Sequence, residues 1–332
     1  MRKVLGSVAT LLGVLLVVVG ITAKPVLYDG LATVKLNQRS VSTSEGTGMS
    51  SLHAYKGDDG KSHYDKLENA HLKSTRNVIG IPGRAEDAKK QDTDAFWQTT
   101  VQSQAEIDGK WTDLSYSNEG VSFNRKTAES TNCCGDFKSA GDLEDPDKVV
   151  PIDHQGLFFK FPFDVQKKTY QWWDGDLGKA TDISYVREEK LEGVGTYVFR
   201  QSIPKAEVTQ RDVPKALFGD TADGNVTATV MYGNVRTLWI EPNTGVLIKG
   251  QEEVEKSLTT DAYPELFTTK GTIGYSDATV KKNAEDWGSK GALLGFINGP
   301  LTIIGIVLGL LLVALGLFLN FGGGRRGSRE AT

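Results

Sequence analysis

The sequence predicts a mainly β protein: an antiparallel, β-barrel-like domain with an internal cavity and one or two helices, tethered by a transmembrane helix at each end. Three observations predict it. Uncharged stretches long enough to cross a bilayer stand at both ends of the 332-residue chain. Between them, β-branched and aromatic residues fall in short runs separated by turn residues. Runs with a helical period are scarce there.

The first element is Val4 to Ala23, twenty residues without a charge, preceded by Arg2 and Lys3. A hydrocarbon core of about 30 Å needs about 20 apolar residues in a helix, so this stretch can span. The rival reading is a cleavable signal peptide, with Met1-Arg2-Lys3 as its basic start and Ile21-Thr22-Ala23 as its cleavage site. The apolar part of a signal peptide runs about 7–15 residues. This one fills a bilayer, which favours an uncleaved anchor. At the other end no charge appears between Lys290 and Arg325, and Leu301 to Phe321 is nearly all Leu, Ile, Val, Gly and Phe. Arg325, Arg326 and Arg329 follow it. Basic residues on short flanks mark the cytoplasmic side. Both termini are therefore expected in the cytoplasm, and everything between in the periplasm, outside the plasma membrane. The expected organisation is an anchor over residues 1–24, a β-rich domain over 25–290, an interfacial segment and second span over 291–324, and a basic tail over 325–332.

Gly6, Gly13 and Gly20 recur every seven residues in the first span, as Gly309 and Gly316 do in the second, and Gly305 with Gly309 forms a small-xxx-small pair. Small residues on one face allow close approach of membrane helices, so the spans are expected to pack on each other. Glycine is also simply common in membrane helices. Asn298-Gly299-Pro300 is expected to interrupt helix, leaving Ala292 to Ile297 as an interfacial segment.

Leu27–Leu36 and Ala70–Ile81 read as strands, ending in or near Gly or Pro. Asp94–Ile107 and Trp111–Ser117 flank Asp108-Gly109, a strong hairpin signal, and Val121–Lys126 continues the meander. Thr196–Ile203 and Val226–Tyr232 read as further strands. Val235–Ile240 and Val246–Lys249 are joined by Glu241-Pro242-Asn243-Thr244-Gly245, a turn sequence. Short helices are expected over Arg84–Lys90 and Asp277–Ser289. Ser40–Ser51 and Glu129–Lys148 read as polar linkers. Many short strands with turn signals point to a sandwich or barrel.

The most distinctive run is Gly156-Leu157-Phe158-Phe159-Lys160-Phe161-Pro162-Phe163-Asp164, followed by Trp172-Trp173. In an extended chain Leu157, Phe159, Phe161 and Phe163 share one face. One reading is a side of an ordinary β core. The sharper one is the wall of an apolar cavity, with Phe159, Phe161, Phe163, Tyr197, Phe199 and Trp239 as candidate lining.

Of 38 Lys and Arg, five lie in the tails, and of 42 Asp and Glu only Glu330 does, so Lys24–Lys290 is net −8. That charge argues against a nucleic-acid partner and against steering to anionic head groups. The two cysteines are adjacent, Cys133-Cys134. A vicinal disulfide, a pairing between chains and two free thiols all remain open, with a structural loop feature ahead of a redox switch. His53, His63, His71 and His154 match no zinc spacing, so no metal site is expected. Asp174-Gly175-Asp176-Leu177-Gly178 lacks the remaining ligands of a calcium loop and reads as a turn. The acidic run around Asp142, Glu144, Asp145 and Asp147 reads as a solvated loop. There is no nucleophile elbow, phosphate loop, dinucleotide fingerprint or His-Glu-x-x-His. No catalytic residue or cofactor is assigned, and the protein is expected not to be an enzyme.

The Phe-Pro-Phe segment with Lys167-Lys168-Thr169-Tyr170, then Gly195-Thr196-Tyr197-Val198-Phe199, Leu238-Trp239-Ile240-Glu241-Pro242 and Thr244-Gly245 between two spans, resembles the actinobacterial PorA-like family of membrane-anchored proteins. The resemblance covers essentially the whole chain. It implies an extracytoplasmic barrel-like domain with internal cavities and a part in making lipomannan and lipoarabinomannan. The expected function is therefore binding of a lipid or lipid-linked glycan in support of envelope assembly. The alternative is a scaffold without a cavity that docks an envelope glycosyltransferase. A channel is the third reading, and two spans free of charge offer little to line an aqueous pore.

Overall fold

A computed structural model describes residues 1–140 and 145–322. The expected basic tail, with Arg325, Arg326 and Arg329, lies outside the described residues, as do Asp142 and Glu144. The chain forms two compact units: Met1–Thr33 with the residues from Ser289 onward, and Val34–Gly288.

In the first unit α1, Arg2–Thr22, runs into a π-helical turn, Ala23–Tyr28, and one further turn, α2, Asp29–Leu31. Pro25 lacks an N–H, so the regular ladder cannot continue there, and the wider turn absorbs the break. The strand expected over Leu27–Leu36 is thus partly helical. Its Val and Leu content fits either state, and here a preceding helix propagates into it. The second span is α5, Pro300–Phe321, with Pro300 in its first turn where the missing donor costs nothing. Both helices are long and apolar enough to cross a membrane.

The glycines decide how α1 and α5 meet. Gly6, Gly13 and Gly20 are the buried residues of α1, and Gly305, Gly309 and Gly316 those of α5. A β-carbon on Gly13 would sit 2.6 Å from the Gly309 carbonyl oxygen, and one on Gly309 would sit 2.6 Å from that of Gly13. Gly6 meets Gly316, and Gly20 meets Gly305, in the same way. The two helices therefore lie backbone against backbone, antiparallel, and their leucines face outward.

The boundary between the units falls within α4, Asp277–Asn298. Ala292–Ile297, expected to stand apart, belongs to this one continuous helix. It ends at the predicted Asn298-Gly299-Pro300 break.

The second unit is a twelve-stranded antiparallel sheet. Its strands are β1 Arg39–Lys56, β2 Ser62–Gly80, β3 Asp94–Ile107, β4 Lys110–Asn124, β5 Phe137–Ser139, β6 Val149–Pro151, β7 Tyr170–Asp174, β8 Lys179–Leu191, β9 Val194–Pro214, β10 Asn225–Ile240, β11 Leu247–Thr259 and β12 Leu266–Tyr275. The order is β6-β5-β4-β3-β2-β1-β12-β11-β10-β9-β8-β7. Both predicted hairpins form. Asp108 and Gly109 take φ of 50° and 73°, the paired left-handed conformations that a tight hairpin turn needs. One short helix, α3, Pro82–Asp87, follows β2.

One expectation fails here, and the antiparallel, mainly β fold is met without closure. Ser40–Ser51, read as a linker, belongs to β1, paired on one side with β2 and on the other with β12. Ladder hydrogen bonds come from the backbone, so a strand rich in Ser and Thr forms wherever neighbours exist on both sides. The sheet also does not close into a barrel, because β6 and β7 are unpaired edges. The chain must travel from one edge to the other, and residues 152–169 make that passage. Along the way Leu157 forms single bridges to Glu129 and to Trp172 of β7, while Ser130 bridges Phe123 of β4. The Phe-rich run is therefore a strap laid across the gap, not a strand.

A Gly13→Leu substitution is expected to separate α1 from α5, because overpacking costs about 1–3 kcal/mol and the obstructing atoms are backbone. Cysteine pairs placed along the two helices should lose their cross-linking in that variant.

Candidate functional site

The strap is held by backbone. Phe161 N–H donates to the Gly245 carbonyl at 2.8 Å, Asp164 N–H to Asn243 at 3.1 Å and Val165 N–H to Pro242 at 2.8 Å. All three acceptors lie on the Glu241–Gly245 turn. Gly245 is required there twice over: its φ is 74°, and a β-carbon would sit 2.1 Å from the Phe161 carbonyl oxygen. The turn is braced internally, since the Glu241 carboxylate accepts from Asn243 and Thr244 backbone N–H groups and from both their side chains.

Around this seam the aromatic rings meet. Phe161 and Phe199 are fully buried with centroids 4.5 Å apart, and Phe161 also packs on Trp172 at 5.3 Å and Tyr170 at 5.2 Å. Phe159 lies 5.3 Å from Trp97 and 5.6 Å from Phe123. One cluster thus draws Val78, Trp97 and Phe123 from β2–β4 and Trp172, Ile183, Phe199, Leu238 and Ile240 from β7–β10, with the strap between. Phe163 and Tyr197 pack against it.

Five of the six predicted lining residues are therefore gathered in one aromatic cluster. Trp239 does not join them. Its neighbours Leu238 and Ile240 point into the cluster, so alternation turns Trp239 to the other face, under the Lys249 ammonium at 4.7 Å. Leu157, Phe159, Phe161 and Phe163 all join this one cluster, as the alternation predicts, while Phe158 packs in a second one with Val121 and Trp173. Phe158 and Lys160 are buried as well, because the strap has contacts on every side.

Three basic side chains, His154, Arg236 and Lys160, sit in this interior. His154, fully buried, faces a carboxylate at each ring nitrogen: Asp136 at Nδ1, 3.1 Å, and Glu119 at Nε2, 2.9 Å. Only the imidazolium donates from both nitrogens. Burial disfavours that charge, but the two carboxylates outweigh burial and hold the His154 pKa above its ordinary value. Arg236 donates to Asp174 at 3.2 Å, to Glu252 at 3.0 Å and to Gln201, and Tyr232 donates to the same Asp174 oxygen at 2.9 Å. The Asp174–Gly178 segment is the β7–β8 turn, and its aspartate is tied into this network.

Lys160 is the exception. Its Nζ has no hydrogen-bond partner among the described residues and rests 3.7 Å from the centre of the Phe163 ring. Burial, opposed only by the nearby charge of Glu241, pulls its pKa down to about 7. The sequence did not single out Lys160 or His154. A lysine inside an aromatic run was the available signal for the first, while the carboxylates of His154 come from 18 and 35 residues away. Cys133 and Cys134 are joined as a vicinal disulfide. No His, Cys, Asp and Glu grouping suited to a metal occurs among the described residues.

The fold and these networks define a β-rich protein with two membrane-length helices, whose marked motifs lock backbone to backbone. Residues 5–318 match the family model described as Porin PorA, and the chain belongs to that family. Proteins named Porin PorA from Corynebacterium amycolatum and Corynebacterium resistens are similar to it: 28% identical over 132 residues and 24% over 153 residues. Each match covers 32% of this chain and 34% or 37% of the relative, so the chain spans about a third of the relatives it matches.

Two opposite pH dependences follow. The His154 clasp stabilises fully below about pH 6.5, the ordinary histidine value, and its contribution is lost as pH rises through the raised folded-state pKa. The melting temperature gap between wild type and His154→Gln should shrink between pH 6 and pH 9. Lys160 binds its proton less readily when folded, so its cost is greatest below about pH 7 and fades towards pH 10.5. Lys160→Met should raise the melting temperature at pH 6.5, and the gain should vanish at high pH.

Proposed function

We propose that this protein is a membrane-anchored, non-enzymatic lipid- or glycolipid-binding protein that supports cell-envelope lipoglycan assembly. One observation carries the reading. In the helical unit an open cleft of about 630 Å³ lies where both spans break, lined by Ile21, Lys24, Pro25, Asp29, Asn298, Gly299, Thr302 and Ile303. Its walls combine apolar side chains with a cation, a carboxylate and an amide. That lining suits an amphiphile whose chain runs along the helices and whose head meets water. The volume is in the range of small-molecule sites. In this reading the cleft is the place for the lipid. The resemblance to envelope lipoglycan factors supports the choice of ligand class.

The family's name, Porin PorA, favours a second reading, a channel. Within one chain the glycine faces of α1 and α5 are used against each other, so a pore would need several copies. A scaffold docking a glycosyltransferase would instead use the outward leucines.

The test is native mass spectrometry of the full chain released from nanodiscs of envelope lipid extract. Retained lipid that falls several-fold on Ile303→Lys supports the proposal. Bare protein, with stepwise conductance in planar bilayers, favours the channel.

A further inference from the structure

The Cys133–Cys134 disulfide stands at the join between the strap and the sheet. On one side of it Asn132 pairs with His154 twice: the His154 N–H donates to Oδ1 at 2.8 Å, and Nδ2 donates to the His154 carbonyl at 2.9 Å. On the other side Asp136 takes the His154 ring and also accepts from the Ser122 N–H and hydroxyl of β4. The Cys133 N–H itself donates to the Ser122 hydroxyl at 2.9 Å. Five consecutive residues, Asn132 to Asp136, therefore carry all of the clasp except Glu119, and the eight-membered disulfide ring restrains their centre.

We propose that Cys133–Cys134 is a reversible thiol–disulfide exchange site for a dithiol oxidoreductase, and that its state sets how firmly the strap is clasped. The two cysteines are unequal in exposure. Cys134 is buried, while Cys133 is partly exposed between exposed Asn132 and Gly135. An incoming thiolate reaches the Cys133 sulfur, forms a mixed disulfide with it and expels Cys134 as thiolate. The second thiol of the reductant then attacks the mixed disulfide, leaving Cys133 and Cys134 as thiols and the reductant as its disulfide. Two electrons and two protons pass to the protein, and nothing else is consumed. The Arg84 guanidinium lies against Gly135, 3.1 Å from where a β-carbon there would sit. A cation so placed favours the departing thiolate.

Reduction removes the ring restraint from Asn132–Asp136. The backbone is then free to leave the conformations now fixed there, φ of 49° at Asn132 and 77° at Gly135. Two of the three partners of His154, Asn132 and Asp136, hang on that backbone, so the strap from His154 to Leu157 is left with the Glu119 bond as the His154 tie to β4.

The full chain in nanodiscs, incubated with reduced thioredoxin as the dithiol, tests this. Native-state alkylation should find two new thiols per chain. Hydrogen exchange at the Leu157 and Trp173 amides, whose bonds seat the strap on β7, should quicken about tenfold or more, with β10–β11 unchanged. The Cys133→Ser/Cys134→Ser double variant should exchange at the fast rate with or without reductant, and Arg84→Gln should slow thiol appearance several-fold. Thiols that appear only in denaturant overturn the exchange site. Thiols that appear while strap exchange stays unchanged overturn its coupling to the clasp.

Discussion

The hydrogen bond from Phe161 N–H to the Gly245 carbonyl is the constraint on which the β unit turns. The sheet begins and ends at strands β6 and β7 that follow one another in sequence but stand at opposite edges of the ladder. The passage between them has to cross the interior. A chain that crosses an interior exposes backbone donors and acceptors to a medium without water, where each unpaired one costs about 1–3 kcal/mol. The Glu241–Gly245 turn supplies three acceptors at the right spacing, and Gly245 lets the strap come close enough to use them. The aromatic side chains then fill the room between the two halves of the sheet.

The same low-dielectric interior sorts the charged groups. Arg236 and His154 are each surrounded by carboxylates and hydroxyl or amide partners, so their desolvation is offset. Lys160 has an aromatic face and the charge of Glu241 instead of an acceptor. Burying an amine that way is tolerable because the neutral form is accessible near neutral pH. The strap is thus tied by backbone at one end and clasped by His154 between two carboxylates at the other.

In the helical unit a different rule holds. The leucines face outward, so association rests on backbone contact at the glycines, as it does between helices long and apolar enough to cross a membrane. Proline interrupts both helices at their far ends, Pro25 in one and Pro300 at the start of the other. Those breaks leave the open cleft.

The sequence by itself determined the two spans, their glycine contact, both tight hairpins and the mainly β character. Each depends on residues close in the chain: apolar length, seven-residue spacing, Asp108-Gly109, Pro242-Asn243-Thr244-Gly245. It also matched the family, because those motifs are local. Only the tertiary structure decided that Ser40–Ser51 is a strand and that Phe159–Phe163 is a strap, since pairing partners and contacts on every side come from distant segments. It likewise joined His154 to Asp136 and Glu119 and turned Trp239 away from the aromatic cluster. Local pattern specifies what an element is able to form. Whether a row of rings encloses a space or fills it depends on what the rest of the chain packs against them.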